Sequence, residues 1–263
     1  MSDRKIAVVT GASSGIGAVY ADRLARRGYD LVLVARRLDR LEALAEKIRK
    51  TYGVNAEALR ADLEKDGDVA KVEALLSTNP AVRILVNNAG LARLQPLGKT
   101  PLQDSLTQIA LNVTSLTRLT HAVLPAFLQR DEGAIINIAS VLSIHAMPVS
   151  AVYSGTKGFV LNFTRGLQAE LASTGVKVQL VLPATTATEI WDNSGIPLAT
   201  LNQAAVMSAE NLVDAALAGF DKGEAVTWPS VADETLWDKY DAARATLFAA
   251  TQVGRPAPRY NIA

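Results

Sequence analysis

Short apolar runs alternate with longer segments of helical spacing along this chain, and that alternation constrains the fold more than any other feature. The runs are KIAVVT (5–10), DLVLVA (30–35), RILVNNA (83–89), GAIINIAS (133–140) and VKVQLVLP (176–183). A weaker one, VNAEALRA (54–61), falls between the second and the third. They are rich in Val, Ile and Leu and lack a polar alternation, the pattern of strands buried on both faces. Between them, segments such as 38–50 and 68–77 carry helical spacing. Strands alternating with helices of this length imply βαβ units and a parallel sheet, hence an α/β fold. EAVTW (224–228) predicts a short seventh strand. No Pro/Gly/Ser-rich linker or internal repeat interrupts the order, so residues 1–263 read as one domain.

Composition narrows the chemistry. Hydrophobic residues make up 49% of the chain, enough for a sizeable core, and the net charge of +1 provides no global attraction for nucleic acid or an anionic membrane. The absence of cysteine excludes disulfides, thiolate zinc sites and a cysteine nucleophile. With only His121 and His145 present, no metal site is expected. The opening stretch MSDRKIAVVTGASSG has too short an apolar run for a signal peptide, and no segment approaches the roughly 18 apolar residues of a spanning helix. A cytoplasmic location is the expectation.

Three constellations carry chemistry. TGASSGIG (10–17) follows the first strand and opens a helix, with Gly11, Gly15 and Gly17 in a G-x-x-x-G-x-G spacing. Glycines there permit a tight turn and let the backbone approach a pyrophosphate at the positive end of a helix. A plain strand-to-helix turn needs fewer glycines. YSGTK places Tyr153 and Lys157 four residues apart, on one face of a helix. That pair is common by chance, but here it follows Ser140, which ends a strand. In an open parallel sheet ligands bind beyond the carboxyl ends of strands, so Ser140 shares an edge with the glycine turn. Asn112 lies in the middle of a long helical stretch, where a mediocre helix former hints at a local polar task.

With these motifs in this order, the chain resembles the short-chain dehydrogenases/reductases in their single-domain form, over nearly its whole length to about residue 228. The resemblance rests on the glycine turn, Asp62 in RADLE, NNAG (87–90), Asn112, Ser140, Tyr153 and Lys157. It implies a doubly wound (Rossmann) sheet of seven mainly parallel strands with helices on both faces, and a bound nicotinamide dinucleotide. It also implies a catalytic tetrad of Asn112, Ser140, Tyr153 and Lys157. The cofactor would meet Gly11, Ser13, Ser14, Gly15, Ile16 and Gly17 in the turn. Asp62 and Leu63 would meet the adenine, and Asn88, Ala89 and Gly90 the adenosine. Pro183 and Thr188 would follow, and Tyr153 and Lys157 would also touch the cofactor.

The chemistry of that tetrad follows from elementary principles. A carbonyl that receives hydride builds negative charge on oxygen, which must be protonated as it forms. Tyrosine is a weak acid, but a lysine ammonium about 4 Å away contributes about 4 kcal/mol at an effective dielectric near 20, which lowers the phenol towards neutrality. Tyr153 is then the general acid in reduction and the base in oxidation. Ser140 would hydrogen-bond the substrate oxygen, and Asn112 would help hold a water linking Lys157 to solvent.

Arg36 and Arg37 end the second strand, where NAD-binding relatives place an acid for the ribose 2′-hydroxyl. A strand reaching solvent is one reading of the pair. A guanidinium that binds a 2′-phosphate bidentately is the other, and it alone explains the missing acid. The expected cofactor is therefore NADP.

Pro183-Ala184 departs from the Pro-Gly of the family, and an ordinary backbone conformation is expected there. A substrate lid is expected over about 184–206. Leu142, Ile144, Met147, Val149, Ile190 and Trp191 predict an apolar wall, hence an uncharged, fairly hydrophobic carbonyl or alcohol substrate. His121 is expected to be packed, His145 to be a wall residue or a participant, and Arg93 to be solvated. Trp237, Tyr240 and Phe248 suggest helix packing or a subunit contact. A homo-oligomer, most simply a tetramer, is expected from the apolar content of 100–130 and 151–173. A non-catalytic NADP-binding regulator is the competing class, but it would have no need of all four tetrad residues. An NAD-dependent alcohol dehydrogenase is the other alternative.

Overall fold

The computed structural model describes residues 5–262. The first half of the fold runs β1 (Ile6–Thr10), α1 (Gly15–Arg26), β2 (Asp30–Ala35), α2 (Leu38–Tyr52), β3 (Ala56–Arg60), α3 (Asp66–Thr78) and β4 (Val82–Asn87). The second half runs α4 (Leu102–Ile109), α5 (Leu116–Arg130), β5 (Gly133–Ile138), α6 (Ala151–Glu170) and β6 (Val176–Val181). A two-residue strand β7 (Thr186–Ala187) pairs with β8 (Met207–Ser208), and α7 (Ala209–Lys222) leads to β9 (Val226–Thr227). All of the strands expected from sequence form, the weak third and the short seventh included.

The seven-stranded sheet has the order β3-β2-β1-β4-β5-β6-β9, and all its pairings are parallel. Successive strand residues point to opposite faces, so neighbours enter different cores. Val9, Leu33, Val86 and Ile136 pack on one face with Tyr20 and Leu24 of α1, Leu41 and Ile48 of α2, and Leu212 and Val213 of α7. Val8, Val32, Leu85 and Ile135 pack on the other with Val72 and Leu76 of α3 and Leu119, Val123 and Phe127 of α5. This two-sided burial is why the strands lack a polar alternation; each such side chain contributes about 1.5–3 kcal/mol. Chain order reverses between β1 and β4, and the crevice outside the carboxyl ends of the strands at that point is where ligands bind.

By compactness the chain divides into one unit ending at Pro229 and a second, Ser230–Ala263. The second contains α8 (Thr235–Ala250), none of whose side chains is buried, and a 3-10 turn at Pro258–Tyr260. Trp237 and Tyr240 stack at 5.6 Å on α8, whereas Phe248 is exposed rather than packed. No helix of the described residues is long and apolar enough to cross a membrane.

Candidate active site

The floor of the site is the turn from β1 into α1. Gly15 has φ +54°, a conformation that disfavours side chains, and Thr188 lies over it, 3.0 Å from where a Cβ would stand. A Cβ on Gly17 would stand 2.3 Å from the Gly11 carbonyl oxygen and 2.6 Å from Asn88 Nδ2. The first turn of α1 thus lies against the strand end, and its N-cap, Ser14, makes no side-chain cap. The backbone N–H groups of that turn are left for a ligand, with the positive end of the helix dipole behind them.

Thr10 closes the turn against β4. Its hydroxyl donates to Val86 O at 3.1 Å and accepts from the backbone N–H groups of Asn88 and Ala89, each at 3.0 Å. Asn88 in turn donates from Nδ2 to Thr10 O at 2.9 Å. Nothing in the residue pattern singled out Thr10, because its work is done on residues 76 to 79 positions away.

Asn112 does not lie in a continuous α-helix. A π-helical segment, Ala110–Ser115, separates α4 from α5, and Asn112 sits inside it, buried. Its Oδ1 accepts from Leu91 N at 2.9 Å, and its Nδ2 donates to Leu91 O at 2.9 Å and Thr156 Oγ1 at 3.1 Å. Both amide hydrogens are committed, so the side chain clamps the loop after NNAG onto α6. Gly90 runs between this clamp and Lys157: a Cβ there would stand 3.1 Å from Asn112 Oδ1 and 3.6 Å from Lys157 Nζ.

Ser140, Tyr153 and Lys157 converge at the end of β5. Ser140 caps a 3-10 turn, its Oγ accepting from Leu142 N at 3.1 Å, and it hydrogen-bonds the Tyr153 side chain. Tyr153 and Lys157 are buried on one face of α6, as their spacing predicts. Lys157 Nζ donates to Ile138 O at 2.9 Å and stands 5.8 Å from the Tyr153 ring centroid.

The electrostatic expectation for this pair is corrected. Burial dominates both groups: it pushes the Tyr153 phenol up to about 12 against the lowering effect of the Ser140 hydrogen bond, and it pushes Lys157 down to about 8. Desolvation disfavours whichever form is charged, and it is the largest cause at both groups. At neutral pH the site therefore holds a neutral phenol beside a protonated lysine.

The other end of the site is charged and open to solvent. Arg37 donates to Ser13 Oγ from Nε (3.2 Å) and Nη2 (3.0 Å) and to Ser14 Oγ at 2.8 Å, lying along the glycine turn. Its Nη1 meets Glu189 at 2.6 Å, and Arg40 meets the other oxygen of that carboxylate at 2.5 Å. The two guanidinium groups hold Glu189 well below the usual carboxylate range, at about 2. Arg36 points elsewhere, to Glu64 at 3.1 Å. Beyond it, the Asp62 carboxylate accepts from Glu64 N at 3.3 Å, and Leu63 offers its carbonyl to Ser115 Oγ.

Over the corner that holds Ser140, Tyr153 and Lys157 lies an apolar wall. Ala92, Leu94 and Tyr153 form a buried cluster with Leu142, Val149, Ile190, Trp191 and Ile196 packed against it. Ile144 and Met147, expected in that wall, are exposed on the loop before α6. The segment 184–206 is bracketed by the β7–β8 pair and built of 3-10 turns, the first of them Glu189–Asn193. Pro183 accepts from Val141 N at 2.9 Å, and Ala184 has no positive φ, as its substitution for glycine predicts. Arg93 is not merely solvated: its Nη1 donates to Asn193 O at 2.6 Å, and Leu94 N donates to Ser194 O at 2.6 Å, so both tie the loop after NNAG to this segment. His121 is exposed on α5 rather than packed, and His145 is exposed. Ile16 packs partly buried against the core beneath the turn.

The motif residues thus gather at one sheet edge; Thr10 and Thr156 lie within the motifs without a role assigned from sequence, and Arg40 and Glu189 join the site through contacts between distant segments. Comparisons with known proteins agree with that geometry. The short chain dehydrogenase family profile matches residues 5–197. The very-long-chain 3-oxoacyl-CoA reductase-B of Danio rerio is 37% identical over 71% of this chain, and the match spans only 61% of that relative's length. Sulfoacetaldehyde reductase of Chromohalobacter salexigens is 42% identical over 69% of this chain and 72% of its own. A short-chain dehydrogenase from Sphingobium yanoikuyae, solved in complex with NADPH, superposes with a TM-score of 0.94 at 46% identity, over 97% of this chain and 100% of that one. The bulky-bulky ketone specific alcohol dehydrogenase of Comamonas testosteroni superposes with a TM-score of 0.90 at 39% identity, over 98% and 99%. Sheet order, glycine turn and buried tyrosine–lysine pair together have one explanation: the chain belongs to the short-chain dehydrogenase family of oxidoreductases.

Proposed function

We propose that this protein is an NADP-dependent oxidoreductase that interconverts a ketone or aldehyde and an alcohol, working in the reducing direction with Tyr153 as the proton donor. The observation that carries the reading is the buried, neutral Tyr153 phenol, hydrogen-bonded to Ser140 beside a buried Lys157 and facing an apolar wall.

A dinucleotide fits the residues present. The approach at Gly17 and the uncapped first turn of α1 suit a pyrophosphate, and Ser13, Arg36 and Arg37 suit a 2′-phosphate. Thr188, Asn88 and Ala89 lie against the glycine turn and, with Gly90 and Asp62, would border the dinucleotide; NADPH bound to the Sphingobium relative supports the choice of cofactor. When bound, the reduced cofactor supplies the hydride. Ser140 then orients the substrate oxygen, and Tyr153 delivers its proton to that oxygen as charge develops there. Lys157, protonated below about 8, stabilises the phenolate that remains.

The wall of Leu94, Leu142, Val149, Ile190, Trp191 and Ile196 suits an uncharged, bulky apolar carbonyl, in keeping with the bulky-bulky ketone specificity of the Comamonas relative. The test is a panel of apolar and charged carbonyls followed by loss of NADPH absorbance. Turnover of bulky apolar ketones is expected. Cofactor binding with no turnover of any carbonyl, and no alcohol oxidation, would overturn the reading.

A homo-oligomer belongs to the same proposal. Leu102, Leu106 and Ile109 expose an apolar stripe on α4, and Phe159 exposes its ring on α6. Light scattering is expected to give a dimer or tetramer at micromolar concentration, and Leu106→Glu to reduce it; a wild-type monomer would refute it.

A further inference from the structure

Glu189 is an acid in a place that ought to repel the phosphate that the neighbouring arginines attract. Its carboxylate bridges Arg37 and Arg40, one on each oxygen, while Arg37 also bonds Ser13 and Ser14. Those partners are separated from Glu189 by 152 and 149 residues, so the bridge ties the start of the lid to the end of β2. Glu189 also begins the turn that carries Ile190 and Trp191 into the wall around Tyr153, and it follows Thr188, which lies on Gly15.

We propose that Glu189 is a built-in competitor of the cofactor's 2′-phosphate, occupying Arg37 until the phosphate takes its place, and that it thereby sets cofactor affinity and couples phosphate entry to the lid. The inference rests on the NADP reading above. Two anions cannot share Arg37 closely without repulsion, so phosphate entry shifts Glu189 onto Arg40 alone or out to solvent. Either movement acts on the turn bearing Ile190 and Trp191. Glu189 is a positioning residue: it acts through Arg37 and does not meet the reacting atoms. Its side chain is 43% exposed, so solvent screens the bridge and the effect is modest, of the order of three- to tenfold in affinity.

The test compares wild type with Glu189→Gln, which keeps the shape and loses the charge, and with Glu189→Asp, which keeps the charge on a shorter arm. The probes are NADPH, NADH and adenosine 2′,5′-bisphosphate, a fragment that carries the phosphate but no nicotinamide. Glu189→Gln is expected to bind NADPH and the bisphosphate about three- to tenfold more tightly, NADH within about twofold, and Glu189→Asp to fall between. Phosphate would then displace free anions rather than a tethered one, so NADPH affinity in Glu189→Gln should decline more steeply with added salt. A purely structural role would change NADPH and NADH together and leave the salt slope alone. Unchanged or weaker binding of the bisphosphate by Glu189→Gln overturns the inference. If wild type binds the bisphosphate no better than AMP, the NADP reading itself fails and the inference falls with it. If wild type prefers the bisphosphate and Glu189→Gln gains nothing, only the role of Glu189 is lost.

Discussion

The two ends of the site manage charge in opposite ways. At the Tyr153 end the phenol and Lys157 are buried, no carboxylate of the described residues is bonded to the lysine, and its ammonium donates to a main-chain carbonyl. At the phosphate end Arg36, Arg37 and Arg40 are part-exposed and already paired with Glu64 and Glu189. Burial is the largest influence on the titrating groups at the first end, while at the second an entering phosphate would have to exchange with partners already in place. Single changes should be severe where water is excluded and gradual where it is not.

The largest expected effect is at Tyr153. Tyr153→Phe should lose at least about a hundredfold in kcat, as removal of a general acid does, with NADPH dissociation within about twofold by fluorescence titration. Near-normal turnover would remove the phenol from the mechanism and with it the contrast between the two ends.

The pH profile sharpens the contrast next. Tyr153 is neutral at every pH below about 12, and Lys157 loses its proton as pH rises through about 8. Single-turnover reduction should hold through neutral pH and decline above about 8. Alcohol oxidation, which needs the phenolate, should instead rise with pH by up to about tenfold per pH unit. A reduction rate that climbs from pH 7 to 9 would contradict this assignment.

The smallest effects belong to the arginines. Arg37 lies on the serines of the glycine turn, whereas Arg36 points to Glu64 with 63% of its side chain exposed. Arg37→Ala should weaken NADPH binding by about tenfold and Arg36→Ala by about threefold, with NADH little changed. Raising salt to about 0.5 M should shrink both differences in equilibrium titrations, because the charges are exposed. A larger loss at Arg36 than at Arg37 would reverse their order.

Much of this arrangement is legible before any coordinates. Val8 and Val9 announce a doubly covered strand because side chains alternate faces every residue. Gly15 and Gly17, and the Tyr153–Lys157 spacing, are local signals tied to a turn and to one helix face. The π-helical segment around Asn112 is not legible, since ALNVTS carries ordinary helix spacing and the distortion accompanies packing against Leu91 and Thr156. The direction of the Tyr153 shift is not legible for a similar reason: its spacing to Lys157 is local, but its desolvation depends on Ala92, Leu94, Ile190 and Trp191.

Sequence alone determined the strands and their two-sided burial, the glycine turn after β1 and the placing of Ser140, Tyr153 and Lys157 at the same sheet edge. All of these follow from backbone geometry and side-chain periodicity between near neighbours. Tertiary structure decided what the residues of the site meet: Thr10 on the NNAG turn, Asn112 on Leu91, Arg37 on Ser13 and Glu189, and Arg93 on Asn193. The physical reason is that hydrogen bonds and ion pairs reach only about 3 Å, and the chain brings residues a hundred or more positions apart within that range only once the sheet has formed.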